Sequence, residues 1–450
     1  MDSHPPEGAT VTAASRWTTP RRLRLALGAI WVACALLFLV GASALVADRA
    51  ALRAIVHDSA PSIVAAEELG AQLADLDAEL AHSLLGSANR DVASELFELR
   101  RSTTARQTVD AAHGMTLGDA ERIPLVVISE DLGRYLELAA RAQWLYLGGD
   151  HDGAVALLRL ATNLMHTRIM PFASALDAAN RSHMDEQFTR AMHDGMVYEV
   201  EAFATGALLV AVLVGAQVYV RRRMRRRVVP ALLLALLLTG VFTSYLVSRF
   251  RAGREHLRAA RDDAFNSVHL LWRARALAYD ASGDQIRWLL DRERSDDYEG
   301  QYRQKVSQLV SRPESISRDD LRTGRITGLL VDEANNVTFP GEQDAVEAAL
   351  SALAATARVD DRVRRLERAG NHAQAVQLCV GLEADQSRDA FDRFDAALER
   401  TTAINQRAFE GIAGEADRGL RRAEWLDPAF VLAIGLLGWL GVRSRLREYV

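Results

Sequence analysis

The groups in this 450-residue chain best suited to binding are arginines. Arg221, Arg222, Arg223, Arg225, Arg226 and Arg227 fill a seven-residue stretch interrupted only by Met224. Guanidinium groups crowded this way suit phosphate or carboxylate partners, and they also sit well against anionic lipid headgroups. Two histidines form the next pattern. Gly149-Asp150-His151-Asp152-Gly153-Ala154-Val155-Ala156-Leu157 and Gly370-Asn371-His372-Ala373-Gln374-Ala375-Val376-Gln377-Leu378 share G-[DN]-H-x-x-A-V-x-L, 221 residues apart. Gly149 and Gly370 suit a tight or left-handed turn, Asp150 and Asn371 are good N-caps, and Ala-Val-x-Leu opens a packed face. His151 and His372 then fall in the first turn of a helix, where a histidine serves as a capping-region residue or as a contact for a docking partner. Metal binding is the weakest reading there, since no second His or Cys stands at ligand spacing nearby.

Other charged groups read as ordinary surface. Asp262-Asp263, Asp360-Asp361 and Arg364-Arg365-Arg368 lie in helical, arginine-rich stretches and are expected on solvated faces with i,i+4 partners. Cys34 falls in an apolar run and Cys379 in a polar segment, so they form no disulfide framework, and Cys379 reads as a small core residue. No P-loop, dinucleotide fingerprint, H-E-x-x-H or G-x-S-x-G is present. The expectation is a non-enzyme with no catalytic residue, no metal and no cofactor.

The elements that hold these groups are helical. Prolines number 10 and aromatics make up 6% of the chain, while Ala, Leu, Arg, Asp and Glu abound. Lys305 is the sole lysine, so arginine carries almost all the positive charge. Four apolar runs are long enough to cross a hydrocarbon core, at 25–47, 202–220, 228–247 and 428–442. They divide the chain into a disordered cytoplasmic tail (1–20), an external segment (48–201), the arginine loop (221–227), a second external segment (248–427) and a short tail (443–450). Basic residues flank the runs on one side: Arg21, Arg22 and Arg24, the loop, then Arg443, Arg445 and Arg447. By the positive-inside rule the loop and both termini are cytoplasmic, and the first run is too long for a cleaved signal peptide. The soluble segments are acidic, with net charges of −11 over 48–201 and −4 over 249–427. That balance argues against nucleic acid as a partner.

Breakers near 86–89, 114–118 and 148–150 cut the first external segment into four helices, and those near 295–298, 323–342 and 370–371 cut the second. The reading is an all-α membrane protein with two duplicated extracytoplasmic antiparallel four-helix bundles. Asp75 with Leu84-Leu85 matches Asp280 with Leu289-Leu290, and Asp177-Ala178-Ala179 matches Asp395-Ala396-Ala397. Pro171 should kink its helix. Leu329-Leu330-Val331 and Val337-Thr338-Phe339 suggest a small hairpin across Asn335-Asn336. Gly206, Ala211, Gly215, Gly435, Gly438 and Gly441 suit close helix packing within the spans. The spans carry no Asp, Glu, Lys, Arg or His between their flanks, which disfavours transport.

Two spans around an external helical bundle resemble the sensory half of bacterial chemoreceptors and sensor kinases, present here twice and without a cytoplasmic output domain. The full layout resembles the actinobacterial GlnX-type four-span membrane protein. That resemblance implies a relay of extracellular amino-acid availability, chiefly aspartate and glutamate. The signal would pass from a solute-binding lipoprotein (GlnH-type) to a cytosolic Ser/Thr kinase (PknG-type). On it, the external tips at Gly149, Asp150, His151, Gly370, Asn371 and His372 would dock the lipoprotein, and the arginine loop would face the kinase. The mismatch between large external and small cytosolic mass points the same way, to a non-enzymatic transmembrane signal adaptor in the plasma membrane, with room for a homo-oligomer. Two alternatives stay open: a structural cell-envelope or secretion-complex subunit, and a direct small-molecule sensor whose arginines meet a carboxylate ligand.

Overall fold

The computed structural model describes residues 19–85, 90–115, 117–224, 229–316, 320–321, 323–381 and 383–446. Every regular element among them is helical, and no strand occurs among the described residues. The first half of the chain runs through α1 (Thr19–Arg53), α2 (Ala60–Leu85), α3 (Arg90–His113), α4 (Asp119–Leu147), α5 (His151–Leu164) and α6 (Met170–Met224). The second half runs through α7 (Pro230–Arg258), α8 (Asn266–Leu290), α9 (Ser295–Leu309), α10 (Leu329–Asn335), α11 (Glu342–Arg368), α12 (His372–Val380) and α13 (Ser387–Leu446). Four helices are long and apolar enough to cross a membrane, consistent with a membrane protein.

The expected breaks near 114–118 and 148–150 separate helices, while the one over 86–89 lies outside the described residues. Three joints are π-helical instead of broken: Ala54–Ser59, Met165–Ile169 and Ala259–Phe265. The first and third precede α2 and α8 at the same spacing that separates Asp75 from Asp280. The second ends two residues before Pro171, so the widened turn meets the missing backbone donor at the start of α6. The suggested hairpin is replaced by α10, whose Leu330 and Val331 are buried in a core with Leu271, Leu309, Leu350 and Phe394. Asn336 ends that helix by donating to Ser267 Oγ at 3.0 Å, and Glu342 accepts from the amides of Thr338 and Phe339 at 2.7 and 2.9 Å. Turn residues that would have closed a hairpin therefore close one helix and open the next.

The chain divides into two compact units. One comprises 1–49, 192–254 and 418–450 and holds segments of α1, α6, α7 and α13. Its interior is apolar, around Ile30, Leu37, Leu209, Leu213, Phe242, Leu246 and Ile434. Val32, Leu39, Phe203, Leu234, Leu237, Leu432 and Leu436 point outward and exposed, as lipid contact requires. Glycines permit its closest helix approaches. A Cβ at Gly206 would stand 2.3 Å from Thr243, and one at Gly435 would stand 2.8 Å from Trp31. Gly438 and Gly441 are equally tight against Ile30 and Leu232, whereas Gly215 faces open space and Ala211 is exposed. Arg249 pairs with Asp427 at 2.6 Å, so the charges at the ends of the apolar runs are matched.

The other unit comprises 50–191 and 255–417, so the two segments between the apolar runs fold into one body. The sequence pattern suggested two bundles. The structure gives a shared core instead, in which Leu73, Leu76 and Leu80 of α2 cluster with Tyr135, Leu158, Ile286, Leu289, Val363 and Cys379. Its centre is the pair α2 and α8, which pack closely along their length. Both are buried well beyond one stripe, and that burial includes Asp75, Asp77, Glu79, Asp284 and Arg287. A helix buried all round needs partners for every polar group it carries, which places the chemistry of this unit along α2 and α8.

Candidate functional site: a buried ionic network between α2 and α8

Asp77 on α2 and Arg287 on α8 form the centre of the composite unit. Arg287 is fully buried; it donates to Asp77 Oδ2 and, at 2.8 Å, to Asp284 Oδ1 one turn earlier. Lys305 of α9 lies 2.5 Å from Asp284 and 2.8 Å from Asp280. Tyr135 of α4 and Thr162 of α5 donate to Asp77 Oδ1 at 3.1 and 3.3 Å. His166, carried by the π-helical turn after α5, stands 3.1 Å from Asp280 and 3.5 Å from Asp77. Three carboxylates thus face Arg287, Lys305 and an imidazole, drawn from both 50–191 and 255–417.

The network fixes the protonation of its members. Burial works against a charge on His166, but hydrogen bonds to Asp280 and Asp77 outweigh it and hold the imidazole at about 9, protonated at neutral pH. Burial likewise opposes charge on Asp77, yet Arg287 and His166 keep its carboxyl below the usual range. Asp77 and His166 are therefore ionised and paired, and one lost member would strand a buried charge.

Asp75, two residues earlier on α2, points to the opposite face. Arg100 Nε lies 2.8 Å from its Oδ2 but out of line, so neither atom makes a hydrogen bond. Around it Glu79, His82, Tyr279, Arg388 and Asp392 line a cavity of about 30 Å³, room for a water or two. Burial pushes the Asp75 carboxyl up to about 7 against the pull of Arg100. Burial also pushes the half-buried His82 down to about 4. Arg388 from the second segment grips Glu79 with two bonds, at 3.0 and 3.4 Å.

Several groups expected on solvated faces belong to this interior. Arg364 is buried, its guanidinium 4.7 Å from both the Trp288 and the Tyr302 ring centres and bonded to Asp360 at 2.7 Å. Asp360 is buried as well and accepts from Gln285 at 2.9 Å. Arg368 and Asp262 do remain exposed. The correction has a simple cause: an i,i+4 Asp–Arg pair reads alike on a wet face and against two aromatic rings. Cys34 and Cys379 are both buried and free.

The two glycine turns stand apart from this network, at the α4–α5 and α11–α12 joints. Gly149 and Gly370 adopt φ of 87° and 79°. Their backbone bonds correspond one for one: Asp150 N to Leu145 O and Asn371 N to Leu366 O, then Ala154 N to Asp150 O and Ala375 N to Asn371 O. Burial corresponds too, with Ala154 and Leu158 buried at the places of Ala375 and Cys379. The caps differ. Asp150 accepts from Gly153 N at 2.9 Å, whereas Asn371 makes no side-chain cap. His151 is exposed and meets Tyr146 edge-on at 4.6 Å, while His372 bonds to Glu367 at 2.8 Å. Trp144 and Leu147 beside the first turn are largely exposed. Arg221 and Arg222 end α6 with exposed side chains; the side chain of Arg223 and all of Arg225, Arg226 and Arg227 lie outside the described residues.

The chain thus combines an all-helical body holding a buried ionic network with four helices long and apolar enough to cross a membrane. Residues 51–189 match the family model described as actinobacterial sensor domain. The match is nearly coextensive with 50–191, the first of the two stretches that make up the composite unit. It supports an actinobacterial sensor protein with a sensing or signalling role. No curated protein matches the chain. No solved structure matches it either.

Proposed function

We propose that the chain is a non-enzymatic transmembrane signal-relay adaptor. It conveys extracellular amino-acid availability, aspartate and glutamate foremost, from a solute-binding lipoprotein to a cytosolic Ser/Thr kinase. The observation that carries this reading is the sensor-domain match over 51–189, the segment that supplies Asp77, Tyr135, Thr162 and His166 to the buried network. The layout inferred from the sequence adds to it: both external segments outside, both termini and the Arg221–Arg227 loop inside. In this reading the two external segments are copies of one ancestral unit, in keeping with the matched bonds of the Gly149 and Gly370 turns. The exposed first turn, with His151, Trp144 and Leu147, is the surface offered to the lipoprotein. Arginines beyond the end of α6 are the surface offered to the kinase.

Proximity labelling from a tag beyond Val450, in cells grown with and without aspartate, tests the relay. Recovery of a Ser/Thr kinase whose labelling changes with the amino acid is the expected result. Recovery of envelope or secretion subunits alone, unchanged by nutrients, would replace the relay with a structural role.

A further inference from the structure

Outside the Asp77 network, α2, α6 and α8 bring together Glu67, Asp177 and His269, whose ligand atoms all lie within 4.8 Å of one another. Glu67 is more than nine-tenths buried. Its Oε1 accepts from His269 Nδ1, while its Oε2 is buried with no hydrogen-bond partner. Asp177 Oδ1 is also buried without a partner. His269 Nε2 accepts from Arg181 Nη1 at 2.6 Å, so the imidazole is neutral with its proton on Nδ1. Two buried carboxylate oxygens without partners, in one cluster with an imidazole, are costly to leave bare.

We propose that Glu67, Asp177 and one ring nitrogen of His269 form a binding site for a divalent first-row metal ion of the Zn²⁺ or Mn²⁺ type, with Arg181 as the group that must release the imidazole for the ion to enter. Two carboxylates and one imidazole suit such ions, and three protein ligands leave positions for water or an incoming ligand. Donors around a tetrahedral ion stand about 3.4 Å apart, so small rotamer changes at Glu67 and Asp177 close the set. A neutral imidazole has one free ring lone pair, now at Nε2 against Arg181, so an ion taking either ring nitrogen ends the arginine contact.

The test uses the full-length protein in detergent, stripped with chelator, dialysed against Zn²⁺ or Mn²⁺ alone and read by elemental analysis. One ion per chain is expected in the wild type. Asp177→Asn and His269→Gln should each weaken binding about 100-fold, and Arg181→Gln should bind at least as tightly as wild type. Thermal melts establish that each variant is folded; if Asp177→Asn is not, Glu67→Gln takes its place. Failure of both ions to bind stoichiometrically overturns the proposal. So does equal binding by wild type and the folded ligand variants, which would place the ion elsewhere.

Discussion

Asp75 and Asp77 sit two residues apart on one buried helix and meet opposite fates. Asp77 is saturated: Arg287, Tyr135, Thr162 and His166 all converge on it, and its carboxylate stays ionised. Asp75 has one badly aligned arginine and a small cavity, and burial lifts its carboxyl to about 7. The first face ties 50–191 to 255–417. The second is where a change of protonation, or of hydration, costs little. Burial alone does not decide how a charged group behaves; the number and alignment of its partners does.

The contrast breaks most visibly at Arg287. Arg287→Met strands Asp77 and Asp284 and should cost about 3–5 kcal/mol, read as a lowered melting temperature of the full-length protein. Asp77→Asn against Asp75→Asn is the direct comparison. The first should cost on the order of 3 kcal/mol and the second under about 1 kcal/mol at pH 8. The signs follow from linkage. Asp75 is raised from 3.8 to about 7, so its contribution to stability is present at low pH and fades as pH rises through that window, and Asp75→Asn should flatten the change. His166 is raised from 6.5 to about 9, so its contribution is full below about 6.5 and lost as pH climbs through 9. His166→Gln should therefore cost on the order of 2 kcal/mol near pH 6 and remove most of the alkaline decline in a series of melts. Equal melting of the Asp75 and Asp77 variants across pH 5–9 would dissolve the distinction between the faces.

The smallest effect compares the two glycine turns. Asp150→Ala deletes a cap and should cost about 1 kcal/mol, while Asn371→Ala, at the corresponding place without a cap, should be near neutral.

Much of the architecture was legible because it depends on local signals. Runs such as 228–247 announce themselves by length, and Gly148-Gly149-Asp150 announces a turn by chemistry. The shared G-[DN]-H-x-x-A-V-x-L pattern anticipated two turns with the same bonds. What escaped was whatever depends on which helices become neighbours. Asp77 and Arg287 lie 210 positions apart and join only because 50–191 and 255–417 fold as one unit. Asp280 was visible as a partner of Asp75 in the repeat, but its contact with Lys305 and His166 was not. The π-helical turn that carries His166 into the network leaves no compositional mark. Arg364 and Asp360 looked like surface because nothing local places Trp288 and Tyr302 over them.

The scarcity of lysine has a practical side. Lys305 holds the only side-chain amine in the chain, and it is tied to Asp280 and Asp284 with little exposure. An amine-selective acylating reagent therefore finds a single internal target, and its rate of attack there clocks the opening of the central network in the unmodified molecule. Slow acylation in the wild type, and faster acylation once Arg287 is replaced by Met, would turn a compositional accident into a built-in gauge of internal motion, usable in whole cells without any engineered label.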